Sequence, residues 1–199
     1  MRRTLRSGDE VLVRPIRPDD KQGLLQAFER LNSDSRYRRF FSPATSLTAA
    51  QLRYLTEVDH HMHEALLAID PQTSEGLGVA RFVCSPDDPT IAEVAVVVAD
   101  DWHRRGLATA LLTDLAARAR EEGVERFSAS VLAENAPAVE LFRHMGDTRT
   151  SGADQGVVDL VMDLPDEGIP EPLRHTVRAV AGGDVRHRSQ ARSGVQPLE

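Results

Sequence analysis

The stretch DWHRRGLATALLTDLAARA, Asp101 to Ala119, decides how this chain is read. Two arginines stand against a glycine, and an alanine-leucine run follows at once. That run puts Leu107, Leu111, Leu112, Leu115 and Ala119 on one stripe, the period of an amphipathic helix. The first N–H groups of a helix have no partner inside it and collect at the positive end of its dipole. A diphosphate set there accepts several hydrogen bonds at once. Gly106 lets the backbone approach closely, Ala108 is the next small residue, and Arg104 and Arg105 add charge at the mouth. The plainer reading of the two arginines is surface solubility.

The segment before it, IAEVAVVVAD from Ile91 to Asp100, reads as a strand. Val94, Val96 and Val98 point one way, and Glu93, Ala95 and Val97 the other. EALLAID and LGVARFVC precede it, separated by the turn-rich PQTSEG and SPDDPT, so a three-strand meander leads into the helix. After the helix, EEG is its stop and VERFSASVL a further strand. NAPAVELFRHMG then forms a helix ended by Gly146, and DTRTSGADQGVVDLVMDLP gives one or two closing strands. Upstream, Leu5 to Ile16 reads as two short strands about the turn SGD. Asp19 can cap a helix with Leu24, Leu25, Phe28 and Leu31 on its apolar stripe. SRYRRFF is a short helix or turn, and SLTAAQLRYLTEV is a capped helix with Leu52, Leu55 and Val58 inward. This order predicts a mixed α/β sheet with helices on both faces.

Composition bounds the function. The chain has 199 residues, 41 % of them apolar, enough for one domain with a real core. Residues 1–170 read as that domain, and 171–199, with a glycine pair, five arginines and no core pattern, as a disordered tail. A formal charge of −7 argues against nucleic acid as a partner. An acidic rim can instead attract an amine or lysine. No apolar run is long enough to cross a bilayer, and the basic N-terminus lacks the apolar stretch of a secretory signal. The one cysteine, Cys84, forms no internal disulfide, reads as a small core residue, and suits a reducing cytoplasm.

Two nucleotide-binding patterns fail. A P-loop ends Gly-Lys-Ser/Thr, which is absent, and the dinucleotide fingerprint needs three glycines after the first strand of a βαβ unit. Here one glycine follows the third strand of a meander.

HRRGLA, His103 to Ala108, resembles the acyl-CoA loop of the GNAT superfamily of N-acetyltransferases, Gln/Arg-x-x-Gly-x-Gly/Ala, departing at His103. LAENAPAVELFRHMG resembles that family's second signature, in which an Asn begins a helix ending in Gly. The resemblance runs from about Val11 to Leu164. It implies a mixed, mostly antiparallel GNAT-like sheet and acetyl-CoA as co-substrate. The cofactor would be held by His103, Arg104, Arg105, Gly106, Leu107, Ala108 and Thr109, with Asn135 reaching the pantetheine or the nearby backbone. Family geometry also assigns the thioester carbonyl to backbone N–H groups at Val96 and Val98. VRPIRPDD, SRYRRFFSP, LTEVDH and DPTIAEVAVVVAD together resemble the GNAT domains of bacterial protein lysine acetyltransferases. Some of those carry a cyclic-nucleotide or acyl-CoA-synthetase-like region, for which this chain has no room.

Amine acetylation needs a base. Glu93 stands inside an apolar strand, where partial burial would raise its pKa. The lysine acetyltransferase resemblance implies the same residue; its plainer role is an edge or salt-bridged glutamate. Asp100 and Asp101 are weaker candidates. Many GNAT enzymes protonate the leaving thiolate with a tyrosine where this chain has Phe142, so the thiolate leaves bare or takes a proton from water. His144 reads as a surface residue. His61 and His63 in DHHMH invite a zinc reading but lack further ligands, and no metal is expected. Arg36 to Phe41 form a basic-aromatic patch that would touch RNA if exposed on a sheet; its plainer readings are helix packing or a border of the acceptor cleft. Trp102 is expected to pack over the loop base.

The leading expectation is therefore acetyl transfer from acetyl-CoA to a protein lysine, by a cytoplasmic monomer or homodimer. The alternatives are a small-amine acetyltransferase and a non-catalytic CoA-binding module.

Overall fold

The computed structural model describes residues 1–33, 35 and 46–164. Eight strands form one sheet in the order β1-β2-β3-β4-β5-β6-β8-β7. They are β1 (Arg2–Thr4), β2 (Glu10–Pro15), β3 (His63–Ile69), β4 (Gly76–Cys84), β5 (Ile91–Val98), β6 (Arg126–Leu132), β7 (Thr148–Asp154) and β8 (Val157–Asp163). The described helices are α1 (Lys21–Arg30), α2 (Ala49–Thr56), α3 (Leu107–Glu121) and α4 (Ala136–Met145). Every strand pair is antiparallel except β5 with β6. The mixed, mostly antiparallel sheet expected from the element order is the sheet observed.

Helices cover both faces. On one, α3 and α4 pack on Val11, Val13, Leu66, Phe82, Val94, Val98 and Phe127. The stripe read from the sequence is the stripe that packs: Leu107 and Leu112 are 1 % exposed, and Leu111, Leu115 and Ala119 are 0 %. Burying each such leucine stabilises by about 1.5–3 kcal/mol. On the other face, Phe28, Leu31 and Leu47 close against Leu25, Leu52, Leu55 and Val97.

Two local expectations change. Asp19 is not the cap of α1; Pro18–Asp20 forms a 3₁₀ turn instead. There the Asp20 carboxylate accepts from the Arg17 N–H at 2.7 Å and from both Arg14 terminal nitrogens at 2.7 and 2.6 Å. Burial pushes the Asp20 carboxyl up, but these donors together hold it below the usual carboxylate range. Gly146 ends α4 in extended backbone, φ −179°, rather than the left-handed form. Its lack of a side chain serves close approach, because a Cβ there would stand 2.7 Å from the Asp163 carbonyl oxygen.

The helix face also buries charge that hydrophobic periodicity does not reveal. Arg118 is 1 % exposed and Glu64 is 0 %. The Arg118 guanidinium donates to Glu64 Oε2 from Nη2 at 3.3 Å, to the His60 carbonyl at 3.3 Å and to Glu122 at 3.2 Å. It also donates to Glu121, whose other carboxylate oxygen is buried without a hydrogen-bond partner. Midway along α3, Arg3 of β1 clamps the buried Asp114 carboxylate.

Candidate active site

The candidate site is a gap between strands. β5 and β6 run parallel for three residue pairs, Ile91↔Arg126, Ala92↔Phe127 and Glu93↔Ser128, and then pair no further. β5 continues to Val98 on β4 alone. The antiparallel ladder fixes which backbone groups face the opening. The Ala99 N–H donates to the Leu77 carbonyl and the Ser85 N–H to the Ile91 carbonyl. Odd-numbered β5 residues therefore bond to β4, and the N–H and C=O groups of Val96 and Val98 point the other way, into the gap. His103 bears this out, since its Nε2 donates to the Val98 carbonyl at 3.0 Å.

The gap leads to the mouth of α3. Gly106 is the N-cap residue with φ +92°, and no side chain caps the helix. Arg104 is also left-handed, at φ +61°. The first helical bond runs from the Ala110 N–H to the Gly106 carbonyl, so the N–H groups of Leu107, Ala108 and Thr109 open outward without intrahelical partners. Successive N–H groups around such left-handed residues make an anion-binding concavity. The Leu107 side chain is in the core, leaving only its backbone for a ligand. Arg105 is committed elsewhere, lying 3.3 Å from Asp9 and 4.8 Å from the centre of the Trp102 ring. Trp102 packs at the loop base as expected.

Glu93 stands in the last parallel pair, at the point where the strands part. Its side chain is exposed, not partly buried; the apolar surroundings of the segment belong to its neighbours Ala92 and Val94 on the opposite face. Asn135 begins α4 and is half-buried; its carbonyl accepts from Ala138 and Val139, while its side chain does not cap the helix. Phe142 is a 4 % exposed core residue. Asp100 ties down the segment just after α1 by accepting from the Asn32 N–H at 2.8 Å and the Ser35 hydroxyl at 2.6 Å. Asp101 is exposed and His144 lies on the surface, its Nδ1 donating to the Glu140 carbonyl.

On the Glu93 face of the sheet a cleft of about 880 Å³, counting its open mouth, lies between β3–β5 and α1–α2. Leu24, Phe28, Leu55, Leu67 and Val97 line it, with Arg81 from β4. Arg81 was missed by sequence reasoning, because a lone arginine in LGVARFVC carries no spacing signal. It is 6 % exposed and donates to His63 Nε2 at 3.1 Å and to the Leu55 carbonyl at 3.1 Å. Burial, reinforced by the Arg81 charge, holds the His63 imidazole down to about 4. His61 turns instead to Glu122, so the two histidines do not converge. Among the described residues no group of three or more His, Cys, Asp or Glu side chains is arranged to hold a metal. Cys84 is buried, as read, and burial with Asp59 and Glu122 nearby pushes its thiol up. No described helix is long and apolar enough to cross a membrane. The Arg36 to Phe41 patch and the tail lie outside the described residues.

Comparison with known proteins gives the family. Residues 10–148 match the family model described as an acetyltransferase (GNAT) domain. The acetyltransferase Pat of Mycolicibacterium smegmatis is 34 % identical over 161 residues, 81 % of this chain and 48 % of that protein. An acetyltransferase of Pseudomonas aeruginosa is 30 % identical over 122 residues, 60 % of this chain and 65 % of that protein. The chain thus spans about half to two thirds of the curated relatives it matches. Among solved structures, the GNAT domain of S. lividans PAT superimposes with a TM-score of 0.77 at 34 % identity, covering 82 % of this chain and 96 % of that one.

Proposed function

The chain belongs to the GNAT family of acetyltransferases, and on that footing we propose that it transfers an acetyl group from acetyl-CoA to a primary amine, with protein lysine as acceptor and Glu93 as general base. The observation that carries this reading is the parting of β5 from β6 just after Glu93. One opening then offers a carboxylate at its apex, backbone donors at Val96 and Val98 along its wall, and the uncapped mouth of α3 at its end. Those are the needs of the reaction: a proton acceptor, an oxyanion site and a diphosphate site.

The amine nitrogen attacks the thioester carbonyl while its proton passes to Glu93, directly or through one water. The tetrahedral oxyanion takes the N–H groups of Val96 and Val98. The C–S bond breaks, and CoA leaves as a thiolate that collects its proton from solvent, since Phe142 offers no hydroxyl. His103, Arg104, Arg105, Gly106, Leu107, Ala108 and Thr109 form the cofactor loop, with Arg105 acting by shaping it, and Asn135 faces the pantetheine arm. The apolar cleft favours lysine over a small polycation. Among the described residues its one acidic lining residue, Asp20, is already paired with Arg14. An aliphatic lysine stem buries well in such a channel.

Glu93→Gln keeps the shape and removes the proton acceptor. Turnover with a lysine peptide near pH 7 should fall about 10²–10⁴-fold, with CoA affinity unchanged. The defect should shrink as pH approaches the amine's own pKa, about 10.4. Parental turnover at pH 7, or CoA binding lost in step with rate, rules Glu93 out.

A further inference from the structure

The acetyl-CoA reading assigns the phosphate contacts to the β5–α3 loop. We infer that a second element takes part: Arg6, in the β1–β2 hairpin, is a ligand to the diphosphate of CoA. The inference rests on the proposed function and adds to it a residue outside the motif.

The hairpin lies along α3. Arg3 grips Asp114 midway along the helix. At the hairpin turn, Asp9 pairs with Arg105 at 3.3 Å, and the Ser7 hydroxyl donates to the Arg105 carbonyl at 3.4 Å. Between them stands Arg6. A Cβ built on Gly106 would lie 3.5 Å from both the backbone N and the Nε of Arg6, and 3.6 Å from its Cβ. The Arg6 side chain therefore crosses the N-cap residue of α3, where the helix begins uncapped.

The cations near this mouth are not equivalent. Arg105 has its carboxylate and its aromatic ring. Arg6 is exposed, and among the described residues its guanidinium has no hydrogen bond or ion pair. Folding has brought a cation against the positive end of a helix dipole, which is unfavourable unless an anion joins them. A diphosphate offers oxygens to the guanidinium fork and to the helix N–H groups together. The 3′-phosphate is the other phosphate of CoA; contact with Gly106, the first residue of the helix mouth, favours the diphosphate.

The test is calorimetric titration of CoA and of 3′-dephospho-CoA into the parent, Arg6→Lys, Arg6→Ala and Arg6→Glu, with melting temperatures as a check on the fold. Arg6→Ala should weaken both ligands about tenfold. Arg6→Lys should lose less and Arg6→Glu more, with melting temperatures near the parent's. KM for acetyl-CoA should rise while kcat holds. Unchanged affinity in Arg6→Ala overturns the inference, as does a loss seen with CoA alone, which would assign Arg6 to the 3′-phosphate. Equal losses in all three variants, or losses that follow a fallen melting temperature, reduce Arg6 to a structural role and also overturn it. Failure of the parent to bind CoA removes the acetyl-CoA reading itself, a result separate from any difference among Arg6 variants.

Discussion

His63 is the residue whose surroundings set a pH dependence. Its imidazole lies beside the Arg81 guanidinium, with its ring 5.0 Å from that of Tyr54. Burial first and the Arg81 charge second lower it from 6.5 to about 4. Between those values an unfolded chain binds a proton that the folded chain refuses, so stability rises with pH across the window. His63 therefore favours folding fully above about pH 6.5, and that contribution is lost as pH falls toward about 4. Unscreened, the shift is worth about 3 kcal/mol; the ring is partly solvated, which reduces the figure to about 1–2 kcal/mol. Urea unfolding at pH 7.5 and 4.5 should show a smaller acid loss in His63→Gln than in the parent, by that amount. An identical loss in both would show that His63 does not carry the window. Sequence could not have given this: two histidines two apart suggest a shared ligand, whereas the fold separates them, one to Arg81 and one to Glu122.

Helix α3 shows what periodicity reveals and what it hides. Its leucine stripe and its glycine entrance were legible, because apolar spacing and a motif at a helix start both act locally. Its buried charges were not. The apolar spacing does not single out Asp114 and Arg118, whose partners, Arg3 of β1 and Glu64 of β3, lie far away in the chain. Glu93 errs the opposite way: an acid in an apolar strand suggests burial, but strand alternation turns it outward at the place where β6 departs. The splay itself has no local signal, since it lies in pairing between distant segments: β6 leaves β5 after Ser128 but stays on β8 to Leu132. The Arg118 cluster predicts a large cost. Arg118→Leu fills similar space but strips Glu64, Glu121 and Glu122 of their shared donor. Removing one partner of a buried ion pair typically costs about 3–5 kcal/mol. Chemical denaturation should show a loss in that range. A loss under about 1 kcal/mol would mean that the carboxylates are held by other groups, His60 on Glu64 and His61 on Glu122 among them.

Over the whole molecule, the sheet has a definite end. β8 lies between β6 and β7, so the last described strand is interior rather than an edge. Leu164, just past it, is 5 % exposed and locked at both backbone groups: its N–H donates to the Glu125 carbonyl at 2.9 Å, and its carbonyl accepts from Arg120 at 2.6 Å. Those bonds close the chain onto the entrance of β6 and the end of α3. The element order carried this architecture in the sequence. We propose residues 1–170 as the domain, a boundary that truncation tests. A chain stopped after Glu171 keeps every residue of the three core clusters, the β5–β6 opening and the α3 mouth. Its melting temperature should stay within about 2 °C of the parent's, because deletions that remove no core contact cost little. CoA affinity by calorimetry should also match the parent's. A fall of more than about 5 °C would correspond to roughly 1–2 kcal/mol lost from a domain of this size. The segment would then be packing on the core. Unchanged melting with weakened CoA binding would instead bring the arginines of the tail to the cofactor, and the domain would have to be extended to include them.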